Sequence, residues 1–144
     1  MIATAIAAAL VLASTGASDT AEEEQMEADM AALSETEEAA LGWVGLVDRG
    51  DYKESWAQAG PIFRSAVTAD DWAKQSGAVR EPLGKTTSRT VASVNEQANL
   101  PGAPEGDYRI VTFNTDFENA ADSVETVIFR KDAGSWGVVG YFIR

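Results

Sequence analysis

The side chains able to do chemistry are few in kind. The 144 residues contain no Cys and no His. A Ser-His triad, a Cys-His dyad, a disulfide framework, thiol chemistry and any Cys- or His-based metal site are therefore impossible. Carboxylates remain, and the sharpest is Glu125. In "SVETVIF", Ser123 to Phe129, strand alternation puts Glu125 on one face with Val127 and Phe129. If that face meets a core, the carboxylate enters a low-dielectric region and needs a cation. Arg89, sharing a strand face with Val91, and Arg80, at the end of a helical stretch, are the two partners the pattern offers. If Glu125 instead lies near the strand end, it reaches water.

The other carboxylates have simpler destinations. Asp116, Glu118 and Asn114 alternate onto one face and Phe113, Thr115 and Phe117 onto the other, which sends the acids to solvent. No stretch has the D-x-D-x-D-G spacing of a calcium loop, and "EGD" and "ADDW" read as a turn and a cap. No metal and no cofactor is expected. Tyr108, after the Pro-rich "LPGAPEGD", is the further polar residue retained as a binding position. That Pro-rich stretch reads as a rigid hairpin connection rather than a peptide-binding loop.

Aromatic residues pose a second question. "ESWAQAGPIFRSAVTADDWAKQSGAVR", Glu54 to Arg80, twice steps from polar residues into Trp-Ala. No third copy follows, so this is no solenoid. Trp56 and Trp72 sit on short helical stretches among Ala, Phe63 and Val67. The first reading is core, since each indole buries a large area; the second is an aromatic pair lining a ligand.

These residues must be positioned by a chain long enough for one domain with a real core. "IATAIAAALVLASTGA", Ile2 to Ala17, is uncharged, apolar and too short to span a bilayer, with small residues at Thr15 and Ala17. It reads as a signal peptide over 1-17, although no Lys or Arg precedes Arg49; the other reading is a buried N-terminal helix. Export to the periplasm or medium, with no membrane anchor after signal removal, is the expectation. Of the 23 carboxylates, nine lie between Asp19 and Glu38, where there is no base, leaving fourteen against eleven bases. Segment 18-34 reads as an acidic linker with a marginal helix through Met26, Met30 and Leu33. Such a tail repels phosphate, so nucleic acid is no expected partner.

From 35 to 144 the pattern predicts a single α+β domain. Ser34 and Glu37 have capping-box spacing before Ala40, Trp43, Val44 and Val47, predicting a core-facing helix from about Glu35 to Asp48, ended at Gly50. Two short helices flank Gly60-Pro61. A helix capped by Thr68 runs to about Arg80, where Pro82 and Gly84 stop it. Strands follow at about 85-98, 107-118, 123-131 and 135-143, joined by hairpin connections. Alternation in "WGVVGYFIR" places Trp136, Val138 and Phe142 on one face and Val139, Tyr141 and Ile143 on the other, so the strand is expected to be central or covered twice.

"WVGLVDRGDYKESW", "PIFRSAV", "VREPLGKTTSR", "LPGAPEGDY", "SVETVIF" and "WGVVGYFIR" together resemble the bacterial domain-of-unknown-function family 4019 (DUF4019), over roughly Glu35 to Arg144. The resemblance implies a small exported protein without an assigned activity. It also implies a cystatin-like or nuclear-transport-factor-like layout, with N-terminal helices on the concave face of a curved four-stranded antiparallel sheet. It carries no catalytic residues. The expected role is an exported, non-enzymatic binding or interaction module for a small apolar ligand or a protein, with Trp56, Trp72, Tyr108, Glu125 and Arg89 as binding residues. A homodimer through the sheet is the expected assembly. The alternative is a small carboxylate-based hydrolase, lyase or isomerase with a cone-shaped pocket, using Glu125, Asp116 or Tyr108. A pocket with an inward carboxylate and a Tyr would favour the enzyme, and an interior filled by Trp43, Trp56, Trp72 and Phe113 the binding module.

Overall fold

The computed structural model describes residues 16-144; the expected signal peptide lies outside the described residues for all but its last two positions. The chain divides into two units at Ala31/Ala32. Helix α1 runs Gly16–Asp48. In the first unit its residues from Asp19 onward are exposed on every side, Met26 and Met30 included. The 18-34 stretch thus takes the helical option, and Ser34 caps nothing, because helix continues through it. The cause is composition: between Ser18 and Leu41 there is no Gly or Pro, and Ala, Glu, Met and Gln favour helix. No helix among the described residues is long and apolar enough to cross a membrane.

The second unit holds the rest. Ala40, Trp43, Val44 and Val47 of α1 are all buried, as their spacing predicts, and Gly50 (φ 76°) follows the helix end. Two six-residue helices, α2 (Tyr52–Ala57) and α3 (Pro61–Ala66), meet at Gly60. Helix α4 (Ala69–Leu83) starts at Thr68, whose Oγ1 accepts from the Asp71 N–H at 3.2 Å. It runs three residues past the expected stop. Pro82 falls in its last turn, where Asn119 donates from Nδ2 to the Pro82 carbonyl and from its backbone N–H to that of Leu83.

Strands β1 (Thr86–Ala98), β2 (Asp107–Phe117), β3 (Ala120–Asp132) and β4 (Ser135–Ile143) form an open antiparallel sheet in sequence order. The α+β class is as expected. β3 begins earlier than alternation suggested, because a bulge with Asp122 in the left-handed region (φ 57°) lets Phe117 pair with Ala120. A second bulge decides more. Phe129 pairs with Val138 but Ile128 with Gly140, so Val139 is extra and parity flips along β4. Tyr141 therefore joins Trp136 and Val138 against the core, and Phe142 turns to the other side, where it is largely exposed. The expected grouping of Phe142 with Trp136 and Val138 fails for this reason, and β4, an edge strand with Phe142 exposed, is neither central nor covered on both faces.

The core joins α1 and α3 to one face of the sheet through Trp43, Val44, Phe63, Val111, Phe113, Val127 and Phe129. The α2-α3 junction docks directly on β4. The Gly60 N–H donates to the Val138 carbonyl at 2.8 Å, and a Cβ on Gly137 would come within 2.7 Å of the Gly60 Cα.

Candidate functional site

Glu125 points into the fold. It is fully buried, opposite Phe113 on β2 and Ile143 on β4. Its Oε1 accepts from Arg89 Nε at 2.7 Å and from Thr115 Oγ1 at 2.6 Å, and its Oε2 accepts from the Tyr141 hydroxyl. Of the two cations the sequence offers, Arg89 is the partner. Arg89 also forks onto Asp48, NH1 to Oδ2 at 2.7 Å and NH2 to Oδ1 at 3.0 Å. Arg80, offered as the other partner of Glu125, pairs with Asp48 Oδ1 through NH2 at 2.7 Å. Its NH1 lies 3.4 Å from the Tyr141 hydroxyl, and its guanidinium lies 4.8 Å from the centre of the Phe117 ring.

The cluster draws one residue or more from α1, α4 and each of the four strands, and its charges balance: two carboxylates against two guanidiniums. That balance lets it be buried, since an unpaired ion there costs several kcal/mol, about 3-5 on removal of one partner. Burial pushes the Asp48 carboxyl up, but hydrogen bonds from Arg89 and then Arg80 outweigh it and hold the group below the usual carboxylate range. For Tyr141, burial comes first, followed by the Glu125 charge and the hydrogen bond to it. All three hold the phenol protonated far above its ordinary range.

Sequence reasoning missed Asp48, Thr115 and Tyr141. Asp48 carried a signal: a carboxylate as the last residue of a helix opposes the helix dipole and asks for a cation. Thr115 carried its face but not its partner, and Tyr141 was hidden by the β4 bulge.

Beside this cluster lies a pocket of about 280 Å³ between α4 and the end of β4. On α4, Trp72, Ser76 and Arg80 stand one turn apart, with Val79 at the rim; Tyr141, Phe142 and Ile143 form the facing wall. Ser76 Oγ and Arg80 Nε are buried and have no hydrogen-bond partner among the described residues. The two residues are only 6% and 5% exposed. Arg80 and Tyr141 thus belong to both cluster and pocket.

The tryptophans divide. Trp43 is buried, whereas Trp56 and Trp72 are half-buried against the core. Ser55, fully buried, links two of them: its carbonyl accepts from Trp43 Nε1 and its hydroxyl from Trp72 Nε1, both at 2.9 Å. Trp56 donates to the Val67 carbonyl at 2.7 Å. Trp72 also meets Phe63 edge-on at 4.9 Å, so one face of it serves the core while the residue lines the pocket.

Tyr108 stands apart. Odd separation from Phe113 along an unbroken register puts it on the opposite face of β2, where it is buried and donates to the Pro104 carbonyl of the 99-106 loop at 2.5 Å. A place in the interior beside Glu125 is excluded for it. Asp116 lies on that outer face too, accepting from Ser88 Oγ and the Asp122 N–H. The structure therefore unites Glu125 and Arg89, sets Trp72 nearby, and separates Trp56 and Tyr108 from them.

Chemically, the inward carboxylate is occupied on both oxygens and its neighbouring Tyr is engaged with it. A general base must be within reach of a substrate proton and have a lone pair to receive it; every strong donor around Glu125 already takes that place. Among the described residues no three or more carboxylates converge on a point where they would hold a metal ion.

A search of curated proteins finds no match. Residues 39-141 match the family model described as a protein of unknown function, DUF4019. That stretch carries Trp43, Asp48, Ser55, Trp72, Ser76, Arg80, Arg89, Glu125 and Tyr141, so the cluster and most of the pocket lie inside the matched region, and the chain belongs to the DUF4019 family.

Proposed function

We propose that this protein is a non-enzymatic binding module that holds a small, mainly apolar molecule between α4 and the end of β4, and that it works outside the cytoplasm. Export rests on the apolar, uncharged Ile2–Ala17 run. The binding reading rests on one observation: a pocket of about 280 Å³ that sets the apolar side chains of Trp72, Val79 and Ile143 beside the polar residues Ser76, Arg80 and Tyr141. Ligand pockets typically combine apolar walls with a few convergent polar groups. The Asp48-Arg80-Arg89-Glu125 cluster is then scaffold, fixing Arg80 and Tyr141 where they frame the pocket. The carboxylate-based enzyme is the weaker reading, because Glu125 is saturated by Arg89, Thr115 and Tyr141.

A thermal-shift screen of small apolar compounds tests the binding reading against a plugged variant, Val79→Trp. Val79 is half exposed at the rim, so a larger side chain there fills the mouth without entering the core. Hits should raise the melting temperature of the native chain and leave the variant unmoved. Equal shifts in both proteins would place binding elsewhere and reject this site.

A further inference from the structure

Resting on that pocket reading, we infer that its occupant is a short, extended, apolar peptide that pairs as an added strand with the free edge of β4 at Tyr141 and Ile143. The edge comes first. β4 ends the sheet and has β3 on one side only. The Arg144 N–H donates to the Val124 carbonyl at 3.0 Å, and the Val124 N–H to the Arg144 carbonyl at 2.8 Å. In an antiparallel ladder such bonded pairs alternate with non-bonded ones, so along the unbroken register that follows, Phe142 and Gly140 are bonded to β3. Tyr141 and Ile143 therefore turn their N–H and C=O groups away from β3. The α2-α3 junction already pairs with this side of β4, through the Gly60 N–H on the Val138 carbonyl, but it stops before Tyr141. Among the described residues no backbone group takes its place at Tyr141 or Ile143.

The pocket lies against that same edge. Tyr141, Phe142 and Ile143 all line it, although their side chains alternate between the faces of the sheet, Tyr141 towards the core and Phe142 away from it. What three consecutive strand residues share is the edge of the strand. Across from it stand Trp72, Ser76 and Val79 of α4.

Hydrogen-bond accounting then selects the class of ligand. A hydrocarbon lying on this edge strips water from the outward N–H and C=O groups and returns no partner, which costs as much as lost hydrogen bonds. An extended peptide carries the same alternation of donors and acceptors and closes them as an added strand. Length follows from strand geometry: Tyr141 to Ile143 spans about 7 Å, so about three peptide residues pair with them. Side chains of the peptide alternate as well. Those on the core side meet Trp72 and Ile143, and those on the other side meet Phe142, so both sets are apolar. A cavity of roughly 150 Å³ accepts benzene, so one of about 280 Å³ takes an apolar side chain with room to spare. The rest of the peptide lies along the mouth, where Val79 and Phe142 are exposed.

The test uses two probes, tetralin and the blocked tripeptide acetyl-Val-Leu-Val-amide. Each is titrated into the full-length protein and followed by ¹H-¹⁵N NMR at the Trp72 indole and the Tyr141 and Ile143 amides. In the free chain these two amide protons should exchange with solvent faster than those of Gly140 and Phe142. The tripeptide should move the Trp72 signal and slow both exchanges about tenfold or more. N-methylating the tripeptide one residue at a time should weaken binding about tenfold at alternate positions and change little in between, the pattern of a strand bonded along one side. If tetralin moves the Trp72 signal but the tripeptide leaves the Tyr141 and Ile143 exchange unchanged, or if N-methylation acts equally at neighbouring positions, the pocket stands and the added strand is overturned. If neither probe moves the Trp72 signal, the pocket reading itself falls and takes the inference with it.

Discussion

Glu125 and Arg89 were legible in the sequence because alternation works wherever a strand pairs without interruption. "SVETVIF" does so on its β2 side from Ser123 to Phe129. The face follows from period two, while the burial and the choice of Arg89 over Arg80 come only with the fold. Tyr141 was illegible for the complementary reason: one extra residue, Val139, reverses the parity of the strand beyond it, and its only signal is the neighbouring Gly140, since glycine inside a strand often marks a bulge. The pairing makes a quantitative prediction. Glu125→Gln leaves Arg89 with only Asp48 and should cost about 3-5 kcal/mol in denaturant titrations, as should Arg89→Gln. The double variant should lose clearly less than the two together, with a coupling energy above about 1 kcal/mol. Additive, mild losses would make the pair a solvated one.

Asp48 supplies a pH test at the same scale. Its carboxyl titrates lower in the folded chain than in the unfolded one, so below about pH 4 the unfolded state binds more protons. Its contribution is complete above the unfolded value near 3.9 and disappears as pH falls through the lower folded value. Urea titrations of the native chain should show stability falling with acid through that window, and Asp48→Asn should flatten that part of the curve. Identical slopes for the two proteins would mean that Asp48 is not held by its arginines.

Among the elements, the α1 core face and the four hairpin-linked strands were readable from spacing, whereas the beginning of α1 was not. A capping-box pattern at Ser34 and Glu37 is a local signal, and the Ala/Glu run before it outweighs the signal by carrying helix straight through. Trp56 and Trp72, read first as core, are only half-buried against it, and the device that coordinates Trp72 with Trp43, a buried Ser55 between their indole nitrogens, has no sequence signature. The contact of the α2-α3 junction with β4 was equally invisible, since it is made by two glycines distant in sequence. Gly137→Ala would bring a methyl within 2.7 Å of the Gly60 Cα, forcing α2 and α3 off the sheet edge. A loss of about 1-3 kcal/mol, the usual cost of overpacking, should appear in thermal or urea unfolding. Gly42→Ala on α1, where a Cβ meets nothing within 4 Å, is the control expected to be neutral or stabilising. Equal effects of the two changes would show that the Gly60-Gly137 approach does not matter.

For the whole molecule, composition narrowed the chemistry before any fold was considered: a chain without His or Cys has no imidazole or thiol to use, and nine of its 23 carboxylates lie between Asp19 and Glu38 with no base among them. What composition does not carry is a cavity. The pocket arises where α4 and the end of β4 stand apart, and it is framed by Arg80 and Tyr141, which a balanced cluster holds from behind. On this reading the pocket is occupied in life by a small molecule. Native mass spectrometry of the protein purified gently from its own host, compared with Val79→Trp prepared identically, tests it most directly. A discrete small-molecule adduct is expected on the native chain, released on denaturation and missing from the variant; a native chain that carries no adduct, or an adduct retained by Val79→Trp, would overturn the binding reading.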